Sequence, residues 1–77
     1  MHPYTCAVSG RVIRALRARE GLSQEVLSGL AGIARSHLAM IEGGMKNASV
    51  DTLWRIADAL GLRLSELIRM VEEEMGE

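Results

Sequence analysis

The residues from Gln24 to Ile41, QEVLSGLAGIARSHLAMI, constrain the fold more than any other stretch of the chain. Leu27 and Ala31 are four apart and Leu38 and Ile41 three apart, so each pair shares one face of a helix. Ile33 lies between the two pairs. The register breaks at Gly32, where a left-handed residue can end one helix and aim the next across it. Two short helices joined by a tight glycine turn, with small residues at the crossing, make a helix-turn-helix. Such a unit is a candidate DNA-binding element.

The rest of the chain has to support that crossing. At 77 residues it is one small domain. A domain of this size buries only about 60% of its unfolded surface, so a second subunit would help it. There is no Phe and no sustained alternation of β-branched residues, so the fold class is all-α. Residues 1–8 are expected to be a flexible arm. Ser9 is the expected N-cap of a first helix carrying Val12, Ile13 and Leu16 as far as about Glu20. Ser23 caps the second helix, with Glu25 in its first turn. The third helix runs from about Ala34 to Glu42 and stops at Gly43-Gly44. Ser49 caps a fourth, in which Leu53, Ile56, Ala57 and Leu60 recur at helical spacing. Ser65 is the expected cap of a fifth, through Leu67, Ile68 and Val71. Residues 72–77 are an expected frayed acidic tail. The result is a compact five-helix bundle, with residues 9–71 as the helix-turn-helix domain.

Net charge is −1, but it is unevenly spread. Residues 1–63 carry a net +3 and residues 64–77 a net −4, so an acidic tail masks a mildly basic body that can face phosphates. One cysteine, Cys6, excludes an internal disulfide framework. Cys6, His2 and His37 are too few and too scattered for a zinc site. No metal, cofactor or small-molecule ligand is expected, and no constellation points to an enzyme. The N-terminal stretch lacks the basic and apolar regions of a signal peptide, and no run reaches the roughly 18 apolar residues of a membrane span. The expected location is cytoplasmic.

Several short motifs agree at fixed spacing: Leu22-Ser23-Gln24-Glu25, Ala31-Gly32-Ile33, Ile41-Glu42-x-Gly44, Leu53, Ala57-x-x-Leu60-Gly61 and Ser65-Glu66-Leu67. On these the chain resembles, from Arg17 to Ile68, the phage-repressor and Cro-like helix-turn-helix family (the xenobiotic-response-element group). It is also similar to the small controller proteins of restriction–modification systems. The resemblance implies a lambda-repressor-like bundle that binds double-stranded DNA as a homodimer. By position it implies base-edge contacts from Arg35, Ser36 and Met40, with Ala39 beside the groove wall. It implies phosphate contacts from Gln24, Lys46 and Asn47, and a structural ion pair between Arg17 and Glu42.

The chain also departs from the family pattern. Ser28 replaces a usual Ala and Ala48 a common Pro, while Gly43 and Met45 replace residues that are often polar or basic. Met40 cannot make the bidentate contact to adenine of an Asn or Gln, although it can meet a thymine methyl. Direct readout then rests on Arg35, whose guanidinium suits guanine O6 and N7. Capping competes with DNA contact for Ser36 and Gln24, and exposure to solvent is the favoured reading of His37. Trp54 lies off the Leu53–Ile56–Leu60 stripe, and aromatic residues favour interfaces. With Leu64, Ile68 and Met70 it forms the expected dimer surface, because related repressors join through their fourth and fifth helices. Completing the core is the competing role for Ile68. The functional expectation is a homodimeric transcription regulator reading half-sites about 34–36 Å apart. The alternative is a protein-interaction module, such as an antitoxin, with little DNA binding.

Overall fold

A computed structural model describes residues 3–76, which form five α-helices with no strand among the described residues. In chain order these are α1 (Pro3–Arg19), α2 (Gln24–Ala31), α3 (Arg35–Glu42), α4 (Val50–Ala59) and α5 (Leu64–Glu74). Short polar caps open two of the helices, α2 and α4. The Ser23 hydroxyl accepts from the Val26 N–H at 3.1 Å, and the Ser49 hydroxyl accepts from the Thr52 N–H at 3.1 Å. Gly32 adopts φ +71°, and the Ile33 N–H then reaches back to the Ser28 carbonyl at 3.0 Å, closing the last turn of α2. This is the turn that the sequence places between the crossing helices.

The core joins all five helices. Val8 and Ile13 of α1, Leu27 of α2, Leu38 and Ile41 of α3, Ile56 of α4 and Leu67 of α5 are fully buried. α1 packs against α3 and α5, α2 against α3 and α4, and α4 against α5. One approach is close enough to require glycine. A Cβ on Gly10 would lie 2.4 Å from the Ile41 carbonyl oxygen and 2.7 Å from that of Glu42. The backbone of α1 therefore rests directly on the last turn of α3.

Three boundaries differ from the sequence reading. α1 starts at Pro3, so residues 5–8 are helix and not a flexible arm. The reason is burial: Val8 is fully enclosed and Cys6 is buried, which extends the apolar stripe of Val12 and Ile13 by two turns. Ser9 is consequently inside the helix, its hydroxyl donating to the Cys6 carbonyl at 3.1 Å. α5 starts at Leu64, and its N-cap is Arg63, whose N–H donates to Glu66 Oε1 at 2.8 Å; Ser65 lies within the first turn. The helix also continues through Glu74, because Val71 is buried and Met75 packs on the core edge. Residues 72–74, the first half of the expected frayed tail, are thus helix. Met1 and His2, the start of the expected arm, and Glu77, the end of the expected tail, lie outside the described residues.

Candidate nucleic-acid interface

α3 has an inner and an outer side. Leu38 and Ile41 anchor it in the core, while Arg35, Ser36 and Met40 are exposed and Ala39 is half-buried. Ala34, its N-cap, offers no side-chain acceptor, so no N-cap side chain satisfies the first-turn backbone N–H groups of α3. Among the described residues Arg35 and Lys46 form no salt bridge. Lys46 and Asn47 are exposed in the loop after α3, beside an exposed Met45. Gly44 begins that loop with φ +75°, and a Cβ there would lie 3.1 Å from the Ala7 Cα. The loop is therefore seated on α1 and does not project freely.

Behind this surface lies a buried polar network. Arg17 Nε donates to Glu42 Oε2 at 2.7 Å and Arg17 Nη2 to Glu42 Oε1 at 2.9 Å, a bidentate pair with both side chains largely buried. Arg17 Nη1 also donates to the Leu22 carbonyl at 2.8 Å. The hydrogen bonds to Glu42 hold the Arg17 guanidinium above its ordinary pKa, with burial opposing part of that shift and the carboxylate charge adding to it. Since the folded value is the raised one, the contribution of the tie is fully present below the ordinary range and lost only at still higher pH.

Gln24 joins the same network. Its Nε2 donates to Glu42 Oε1 at 3.0 Å, across 18 positions of sequence. Ser23, not Gln24, caps α2, so capping is no longer a competing role for Gln24. The sequence reading named Arg17, Glu42 and Gln24 but missed this connection, which no local spacing signals. Ser28 is buried, and its hydroxyl is satisfied by donating to the Glu25 carbonyl at 3.1 Å. His37 departs from the expectation of exposure: it is half-buried, and its Nε2 is enclosed without a hydrogen-bond partner among the described residues.

The candidate dimer residues divide into two sets. Trp54 is 54% exposed and Ile68 39% exposed, whereas Leu64 and Met70 are half-buried against the core. Ile68 borders Ser9, Ala48 and Leu53, while Met70 borders Arg11, Ala15 and Ala18, so these two line separate clefts along α5. No cluster of three or more His, Cys, Asp or Glu that could hold a metal occurs among the described residues, and Cys6 is a buried free thiol.

The glycine-turned crossing of α2 and α3, with one side of α3 anchored in the core and the other exposed, defines a helix-turn-helix domain. The helix-turn-helix family model matches residues 13–67, and the chain belongs to that family. Among solved structures, the chain is similar to the restriction–modification controller protein C.AhdI from Aeromonas hydrophila. The identity is 37%, covering 80% of this chain and 94% of that one, with a TM-score of 0.78. It is 35% identical over 66 residues to the control protein C.MunI of a Mycoplasma species, covering 84% of this chain and 89% of that protein. It is also 37% identical over 71 residues to the immunity repressor protein of Bacillus phage phi105, covering 88% of this chain. There the match spans only 49% of the repressor's length.

Proposed function

We propose that the chain is a transcription regulator that binds double-stranded DNA sequence-specifically as a homodimer, acting in the cytoplasm and by binding alone, without a catalytic step. The observation that carries this reading is the division of α3: its inner side is held by Leu38 and Ile41, and its outer side exposes Arg35, Ser36 and Met40. Those exposed positions are the ones a helix-turn-helix protein turns toward base edges. The control proteins and the phage repressor among its relatives support a regulatory role.

In this reading each subunit lays α3 in a major groove. Arg35 presents a fixed fork of donors to guanine, Met40 meets a thymine methyl, and Ala39 lies along the groove wall. Gln24, Lys46 and Asn47 fix the register on phosphates. Trp54, Leu64, Ile68 and Met70 on α4 and α5 are the proposed residues of subunit association. The exposed indole of Trp54 suits that role, since a large apolar ring in water favours burial in an interface.

Selection of random duplexes on the purified protein tests the whole reading. The expected product is a two-fold motif with half-sites about one helical turn apart. Affinity should fall steeply with salt, since each neutralised phosphate releases counterions. Absent or salt-independent binding to every duplex would leave the protein-interaction module in its place. On the selected duplex, Arg35→Ala should cost about 1–3 kcal/mol and relax the base preference at one position. An equal loss on all sequences would reassign Arg35 to a phosphate.

A further inference from the structure

We infer that Glu42 is a positioning residue for DNA binding: it holds the Gln24 side-chain amide at the start of α2 so that the second Nε2 hydrogen meets a backbone phosphate. This rests on the DNA-binding reading above and deepens it, by assigning a binding role to an ion pair otherwise read as structural.

The chemistry of the contact fixes the orientation of Gln24. Glu42 Oε1 is 3.0 Å from Gln24 Nε2 and is already accepting from Arg17 Nη2. An ionised carboxylate can only accept, so the amide nitrogen, and not its oxygen, must face Glu42. One amide hydrogen is used there, and the other, at a half-buried position on the first residue of α2, meets no acceptor among the described residues. A phosphate oxygen is also an acceptor only. The free hydrogen is therefore the one group of this side chain that a phosphate can use.

Glu42 suits the task because its own position is fixed. Its side chain is 3% exposed, and Gly10 lets α1 lie against its backbone carbonyl. A bare carboxylate close to a phosphate would repel it, but the bidentate contact with Arg17 makes the pair neutral overall. Gln24 is thus held by an acceptor without a net negative charge behind it. Immobilising a long side chain before DNA arrives removes an ordering cost that binding would otherwise meet. Because Glu42 is also the last residue of α3, the same contact keeps the phosphate-binding start of α2 in register with the helix that reads bases.

The test pairs a variant cycle with a measurement on the unaltered protein. Replacing Arg17 and Glu42 together by methionine removes the acceptor, leaves net charge unchanged and avoids an unpaired buried charge, an exchange that proteins often tolerate. On the selected duplex, Arg17→Met/Glu42→Met and Gln24→Ala should each weaken binding by about two- to tenfold, equally on all sequences. Gln24→Ala should cost nothing further in the double-methionine background, and the salt dependence should be unchanged, since Gln24 carries no charge. A full Gln24→Ala penalty in both backgrounds, or native affinity in the double-methionine protein, overturns the proposal. Should that protein not fold, side-chain amide relaxation of Gln24 in the free native protein decides the question. An order parameter close to that of rigid backbone, about 0.85, is expected, and one below about 0.6 overturns the proposal. This measurement needs no DNA. Failure to select any duplex would instead count against the DNA-binding reading itself.

Discussion

Where α1 meets α2 and α3, polar groups are satisfied around the buried Glu42: Arg17, Glu42, Gln24 and the Leu22 carbonyl share four hydrogen bonds of 2.7–3.0 Å. Along the outer side of α4 and α5 the reverse holds, for Val50, Trp54 and Ile68 are apolar and 70%, 54% and 39% exposed. The first region closes on itself within one chain. A buried network of charge-assisted bonds tolerates little displacement, because any partner that moves leaves a buried charge unpaired. The second region leaves apolar surface in water, which is stabilised only when something covers it. The difference teaches that the geometry of α3 is set inside the subunit, whereas subunit association, in the reading proposed above, draws on exposed apolar residues of α4 and α5.

The sharpest way to break this contrast is to cut the network on one side. Glu42→Ala strands the Arg17 guanidinium and should cost roughly 3–5 kcal/mol in urea unfolding. A loss below about 1 kcal/mol would place the pair with ordinary surface ion pairs. Gly10→Ala comes next, since its methyl group would meet the Ile41 carbonyl at 2.4 Å and force α1 away from α3. The expectation is about 3 kcal/mol, at the upper end of the overpacking range, with the largest amide chemical-shift changes in the last turn of α3. On the other region, Trp54→Ala should leave thermal unfolding nearly unchanged at low concentration, yet weaken self-association by about 2 kcal/mol in sedimentation equilibrium. An unchanged association constant would remove Trp54 from the proposed interface. The smallest effect is expected for Arg55→Ala. Its 2.9 Å bond to Asp51 lies between exposed side chains, so about 0.3–0.5 kcal/mol is the expected loss.

Much of the fold was legible because its signals are local. The turn at Gly32, the caps Ser23 and Ser49 and the stripe of Leu53, Ile56 and Ala57 each depend on residues within a few positions of one another. The two ends were misread for a shared reason. Ser9 and Ser65 resemble caps in sequence, but tertiary burial of Val8 on one side and of Leu64 against the core on the other extended each helix past the local signal. At the candidate interface the exposure of Arg35, Ser36 and Met40 agrees with the side of α3 that the apolar spacing leaves free, and Lys46 and Asn47 are exposed in the loop that follows. The enclosed Nε2 of His37 does not follow from spacing, because it depends on what packs over α3.

The stretch from Gln24 to Ile41 by itself determined that two short helices cross at a glycine, since backbone sterics at φ +71° and a 3.6-residue period require no distant partner. The family's motifs added the Arg17–Glu42 pair at fixed positions. Only the tertiary structure decided that Gln24 joins that pair and that α1 touches the end of α3 at Gly10. It also decided that Leu64 and Met70 are half-covered while Trp54 and Ile68 are left in water. Each of these depends on atoms brought within a few ångströms by the packing of separate helices, and no periodicity along the chain encodes such distances.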